Sequence, residues 1–175
     1  MDTPRGSITI RPTQEGDATA FRELRLEALK NYPAAFGADY ESNVSLPIEH
    51  WQERVRPTVD PTKGIIYVAS AGETLVGMTG IYRDNSLKLQ HNGNIWGVYV
   101  RDGWRGLRIA DQLIEACVAW AQQQEIRLVR LAVITSNASA IRCYVRCGFT
   151  VYGVDPEVIY TGGVYHDELL MVRKL

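Results

Sequence analysis

Apolar positions recur along the chain with two different periods, and the switches between them mark out the elements. Residues 7–11, SITIR, alternate apolar and polar ahead of Pro12 and read as a strand. From Glu15 to Lys30, Phe21, Leu24, Ala28 and Leu29 fall at helical spacing. Asn31 to Ser45 mixes Pro, Gly, Asn and Ser with Phe36 and Tyr40, which fits a loop or short helix that still packs aromatics. A second short helix is predicted over Pro47 to Val55. Gly64 to Ala69 and Thr74 to Tyr82 are β-branched, apolar runs, and the link Ser70-Ala71-Gly72-Glu73 between them predicts a hairpin.

Asn94 to Val100 reads as the next strand. Leu107 to Gln124 then places Leu113, Ile114, Cys117, Val118 and Ala121 on one face of a long amphipathic helix. Arg127 to Ile134 is a strand, and Asn137 to Arg146 a helix that stops at Gly148. Phe149 to Tyr160 and Val164 to Arg173 form a last hairpin around Thr161-Gly162-Gly163. Strand, helix, strand over 94–134 implies one parallel crossover beside antiparallel hairpins, so the class is α/β (α+β) with a mixed sheet.

At 175 residues the chain fits one domain spanning 1–175, and 46% hydrophobic with 22% charged residues is ordinary for a soluble globular protein. Lys and Arg number 19 against 20 Asp and Glu, so no basic field is present and no nucleic-acid partner is expected. The start, MDTPRGSITIRP, lacks the order of a signal peptide, and no apolar run reaches bilayer length. A cytoplasmic location without membrane association follows as the expectation. Cys117, Cys143 and Cys147 are an odd count, which favours reduced thiols over a disulfide framework. Cys143 and Cys147 lie one turn apart, but no second ligand pair or nearby His completes a zinc site, so no metal is expected.

Chemistry concentrates in two segments. In Val98 to Ala110, VYVRDGWRGLRIA, a strand ends, a loop with Gly103 and Gly106 follows, and the long helix begins. The first N–H groups of a helix have no partners within it and the dipole there is positive, so this arrangement suits an anion; a simple turn before a helix reads the same way. Arg105 and Arg108 add positive charge. No GxxxxGK[ST] loop is present, and GWRGLR lacks GxGxxG spacing. In Asn137 to Phe149, NASAIRCYVRCGF, Asn137 is a helix cap and Gly148 a stop. Tyr144 reads either as a packed aromatic or as a proton donor.

With these two segments in order, the sequence resembles the GCN5-related N-acetyltransferase (GNAT) family. That family carries R/Q-x-x-G-x-G/A at a helix start and later N-x-x-A-x-x-x-Y-x-x-x-G-F. The opening ITIRPTQEGDATAF and the closing VYHDELLMVRKL also look like the family's first and last elements. One position departs: Arg108 stands where the loop's middle glycine usually falls. If Arg108 keeps helical backbone angles, its N–H remains a donor.

The resemblance implies a GNAT-like single domain: a mixed central sheet of about seven strands flanked by about four helices, splayed between strands 4 and 5. Those strands correspond here to Asn94–Val100 and Arg127–Ile134. It implies acetyl-CoA as acyl donor and an amine as acceptor, a small molecule in preference to a protein, with direct transfer. Carried over position by position, Val98, Tyr99 and Val100 would meet the pantetheine arm, and Arg105, Gly106, Leu107, Arg108, Ile109 and Ala110 the pyrophosphate. Asn137 and Tyr144 would lie near the thioester, with Tyr144 as the acid. The competing reading is a non-catalytic acyl-CoA-binding sensor, supported by Arg108 alone. Phe36, Tyr40, Trp51, Tyr82 and Trp96 are read as acceptor-pocket walls or as core, and Glu41, Asp167 and Glu168 as bases or as surface carboxylates. A homodimer is expected from the frequency with which strand edges are covered by a twin subunit.

Overall fold

The computed structural model describes residues 1–56 and 62–175. A small hairpin of β1 (Asp2–Thr3) and β2 (Gly6–Ser7) precedes β3 (Thr9–Pro12). Three helices follow, α1 (Ala18–Asn31), α2 (Tyr40–Val44) and α3 (Ile48–Val55), then the strands β4 (Gly64–Ala71), β5 (Thr74–Arg83) and β6 (Asn92–Val100). The helix α4 (Ile109–Gln123) leads to β7 (Leu128–Ile134), and α5 (Ala138–Arg146) to the closing hairpin β8 (Thr150–Thr161) and β9 (Val164–Lys174).

Strands β3 to β9 form a seven-stranded sheet in the order β3-β4-β5-β6-β7-β9-β8. Every neighbouring pair is antiparallel except β6 and β7, which are joined in parallel through α4. Alternation along the strands sends side chains to two layers. Val68, Leu75, Met78 and Tyr99 pack with Phe21, Leu24 and Ala28 of α1 and Trp51 and Val55 of α3. Their neighbours Ala69, Val76 and Val100 pack with Ile109 and Leu113 of α4. Helix α5 adds Cys143 and Tyr144 to the layer that holds α4.

Helix α1 is anchored at its start by a buried carboxylate. Asp17 accepts two hydrogen bonds from the Arg11 guanidinium, at 2.6 and 2.8 Å, and one from the Gln14 N–H at 2.7 Å. The hydrogen bonds from Arg11 hold the Asp17 carboxyl below the usual carboxylate range. Strand β3 and the entry to α1 are thereby tied together.

Three details depart from the sequence expectation. Five α-helices form against the about four implied, because within 31–45, read as loop or short helix, Asp39 caps a five-residue turn, α2, accepting from the Ser42 N–H at 2.8 Å. The β1–β2 hairpin has strands of two residues, too short to show a period. Helix α4 begins at Ile109 and not at Leu107, because Arg108 is left-handed, with φ 57° and ψ 24°. The helical angles expected for Arg108 are therefore not adopted. Among the described residues, no helix is long and apolar enough to cross a membrane.

Candidate active site

Strands β6 and β7 pair at only three positions, Asn92 with Leu128, Gly93 with Val129 and Asn94 with Arg130. Beyond them β6 continues to pair with β5, and β7 with β9, while their facing edges separate. Residues 95–100 and 131–134 become two walls of a cleft of about 870 Å³. The separated edges carry backbone donors and acceptors that a regular sheet would have paired, so the cleft suits an extended ligand laid between them. It opens at the carboxyl ends of two parallel strands, where ligands of α/β sheets gather.

A bulge sharpens the opening. Met78 faces Tyr99 but Gly80 faces Trp96, so Thr79 stands opposite both Gly97 and Val98. Gly97 takes φ 67°, a conformation that side chains resist, and the Thr79 hydroxyl donates to the Trp96 carbonyl at 3.2 Å. The bulge turns the strand locally and frees backbone groups from the ladder on the cleft wall.

At the far end of β6 the chain makes a 3-10 turn over Asp102–Trp104 and enters α4 through Gly106, at φ 81°, and Arg108. The Gln112 N–H donates to the Arg108 carbonyl at 3.2 Å and is the first to find a helical partner. The N–H groups of Ile109, Ala110 and Asp111 ahead of it are the free donors of a helix start. Arg105 does not contribute its charge outward. Its guanidinium donates to the Val100 carbonyl at 3.0 Å and to the Tyr32 hydroxyl at 2.9 Å, and pairs with Asp102 at 3.0 Å. It braces the loop. The Arg108 side chain is exposed, and no carboxylate among the described residues pairs with it.

Across the cleft, the Asn137 side chain caps α5, accepting from the Ala140 N–H at 3.1 Å. Two turns on, Tyr144 is only 6% exposed yet lines the cleft, and its hydroxyl makes no hydrogen bond among the described residues. Burial pushes the phenol well above its ordinary value, so it stays protonated at neutral pH.

A scan against family models matches residues 21–149 to the Acetyltransferase (GNAT) family. The chain belongs to the GNAT family. It is 27% identical to the L-amino acid N-acetyltransferase of Escherichia coli over 173 residues, which span 95% of this chain and 97% of that protein. It is 36% identical over 78 residues, 45% of each chain, to an L-methionine sulfoximine/L-methionine sulfone acetyltransferase of Pseudomonas aeruginosa. Among solved structures, a GNAT acetyltransferase of Streptococcus pneumoniae superposes with a TM-score of 0.86 at 22% identity, covering 97% of this chain and 100% of the other. The yncA protein of Salmonella typhimurium, solved with its cofactor acetyl-CoA, gives 0.78 at 19% identity over 97% and 95%. The chain is thus an acyltransferase by family, with the GNAT fold and its splay.

In this GNAT chain Val98, Tyr99, Val100, Arg105, Gly106, Arg108, Ile109, Ala110, Asn137 and Tyr144 all line the cleft. Leu107 does not; it is partly buried against the cluster that holds Ile8, Val100, Ile109 and Leu113. The Tyr99 phenol also points away, donating to Glu27 at 2.8 Å, which leaves its backbone for the cleft. Arg142 and Arg146, one turn apart on α5, line the cleft as well, and that spacing was the overlooked signal. Phe36 and Trp96 line it too, whereas Trp51 is core, Tyr40 lines a separate hollow and Tyr82 lies outside both. None of Glu41, Asp167 and Glu168 lines the main cleft, although Glu168 is paired across the sheet with Ile134, which does.

The fold brings Asp111 beside Cys143 and Cys147, with the three ligand atoms within 4.8 Å of one another. Arg146 already occupies the carboxylate through hydrogen bonds of 2.9 and 3.0 Å. Burial pushes the Asp111 carboxyl up, and the hydrogen bonds from Arg146 and Cys143 outweigh it, leaving a carboxylate below the usual range that is matched by its own arginine.

Proposed function

We propose that this protein transfers the acetyl group of acetyl-CoA directly to the amine of a small molecule. The observation that carries the reading is the pairing of β6 with β7, which stops after three positions and leaves two backbone edges facing a cleft. An amide-bearing arm can lie there as an added strand. The free N–H groups at the start of α4 fit a pyrophosphate at one end, and Arg108 and Arg142 on the rim suit further phosphate charge.

In the transfer, the neutral acceptor nitrogen forms a bond to the thioester carbonyl carbon as the carbon–sulfur bond breaks. Backbone N–H groups on the bulged part of β6 polarise the carbonyl oxygen. Tyr144 gives its proton to the departing sulfur, the acceptor nitrogen loses its own proton to solvent, and solvent returns one to the Tyr144 phenolate. No enzyme-bound acyl group is required. Two relatives are named for acetylating amino acids or their analogues, which favours a small acceptor here.

Arg108 was the sole support for a binding-only sensor. Its backbone follows the left-handed path natural to glycine and its side chain is exposed, so no observation favours that reading. The free, buried state of Cys117, Cys143 and Cys147 suits a reducing cytoplasm. Tyr152, Tyr160 and Tyr165, 55–63% exposed on the β8–β9 hairpin, suit coverage by a second copy, and a monomer mass by light scattering would remove that assignment.

The deciding experiment is release of free CoA thiol from acetyl-CoA across amino acids, polyamines, aminoglycosides and peptides. Acceptor-dependent release is expected. Absence of release with every acceptor, together with no rise in Tm on adding CoA, would sink the proposal.

A further inference from the structure

Arg25 occupies a core position of α1. Phe21, Leu24 and Ala28, its neighbours on the helical face, are all buried, and Arg25 follows them inward to 6% exposure. Its guanidinium lies 4.8 Å from the centre of the Phe36 ring and 5.9 Å from that of Trp96. Arg54 reaches the same indole from α3, at 4.7 Å. Two cations therefore share one aromatic wall.

Neither has a counter-ion among the described residues. Nε and Nη1 of Arg25 and Nε of Arg54 are buried without a hydrogen-bond partner, and no carboxylate among the described residues pairs with either side chain. Burial, and then the charge of Arg54, pulls Arg25 down to about 10, and burial lowers Arg54 as well. Stacking on aromatic faces returns only part of the hydration that a buried guanidinium gives up. Two like charges held together, one buried and one partly buried, with donors unmet among the described residues, are the complement of an anion.

The position says which anion. Arg25 Nη1 is the nearest atom that a Cβ on Gly97 would meet, at 3.5 Å, and Gly97, Trp96 and Phe36 all line the cleft. Arg25 Nη1 thus borders the bulge of β6 from behind the cleft wall, and Arg54 lies against the Trp96 ring next to it, whereas the cradle for the donor's phosphates lies beyond Val100, at the start of α4. The anion beside the bulge belongs to the acceptor. A planar fork of donors matches a carboxylate.

We infer that Arg25 and Arg54 form the subsite for a carboxylate on the acceptor, so that the acceptor is an amino acid and not a polyamine or an aminoglycoside. The inference rests on the transferase reading for its meaning but not for its test. A second effect follows: two fixed cations near the acceptor's ammonium disfavour its charged form and promote the neutral amine that must attack.

The test compares wild type with Arg25→Met and Arg54→Gln, using the common L-amino acids, each beside its carboxamide. In the presence of CoA, at least one free amino acid is expected to raise the Tm of wild type by several degrees, while its carboxamide does not. Unliganded Arg25→Met is expected to melt no lower than wild type, since an unmet buried charge has been removed, and to lose the amino-acid response. In turnover, Arg54→Gln, whose side chain is less buried, is expected to raise KM for the amino acid on the order of 100-fold, with KM for acetyl-CoA within about twofold.

Equal use of acids and carboxamides, or unaltered acid preference in Arg54→Gln, would overturn the subsite and leave the transferase standing. Amino-acid stabilisation that depends on Arg25, with no transfer to any acceptor, would uphold the subsite and remove the transferase. Failure of every amino acid both to stabilise and to react would overturn the subsite outright.

Discussion

Arg108 and Arg25 are both arginines that no carboxylate among the described residues pairs with, but one is exposed on a left-handed backbone and the other is buried on an ordinary helix. For Arg108 the cost lies in φ and ψ, about 1 kcal/mol, while its charge remains solvated. For Arg25 the backbone is relaxed and the cost is electrostatic, carried by desolvation and by the second cation, Arg54. A charge in water interacts weakly and with little selectivity, and the same charge in a dry wall discriminates sharply. The loop end of the cleft is thus suited to holding any phosphate, and the bulge end to choosing the acceptor.

The comparison can be broken most severely at the bulge. Gly97→Val is expected to lower kcat/KM about 1,000-fold by misplacing the carbonyl-polarising backbone, and to destabilise the fold by about 2 kcal/mol. Turnover and urea midpoints check both. Tyr144→Phe should lower kcat about 100-fold and leave the KM of acetyl-CoA nearly unchanged, since it removes a proton and not a contact. An unaltered kcat would strip the phenol of its role.

At the loop end, Arg108→Gly is expected to act with opposite signs on two readouts. Relief of the left-handed strain should raise stability by about 1 kcal/mol, while loss of the exposed charge should raise KM for acetyl-CoA by about threefold, less at high salt. A loss of stability would mean that the arginine is held by contacts which outweigh the strain.

The smallest effect lies in the response to alkali. Because burial raises the Tyr144 phenol, the folded protein keeps a proton that the unfolded chain releases near pH 10. That contribution is whole below pH 10 and is lost as pH rises beyond it. Between pH 10 and 11 wild type should lose up to about 1 kcal/mol more stability than Tyr144→Phe, read from melting curves.

Element types and order were legible because each segment carries its own period, and the antiparallel hairpins because their partners are adjacent in sequence. The splay was not legible from pattern: it depends on which residues of β6 and β7 fail to pair, across 36 positions, and entered only through family resemblance. NIWGVYV was read as a regular strand, although a glycine inside a strand is the usual mark of a bulge. The role of Arg25 is hidden for a related reason. It falls on the apolar face of α1, four residues after Phe21, and a charged residue in that place was a signal that hydrophobic counting discards. The charge of Arg105 is plain in the sequence, but its bond to Tyr32 depends on folding across 73 residues.

The three pairs between β6 and β7 also make the sheet a mechanical object. One plate runs from β3 to β6, the other from β7 to β8, and the backbone seam between them is only three rungs long. A ligand lying in the gap acts as a splint across that seam. Its arrival should slow amide exchange along 95–100 and 131–134 more than anywhere else in the sheet, and its departure should return the two plates to hinging about Asn92–Asn94.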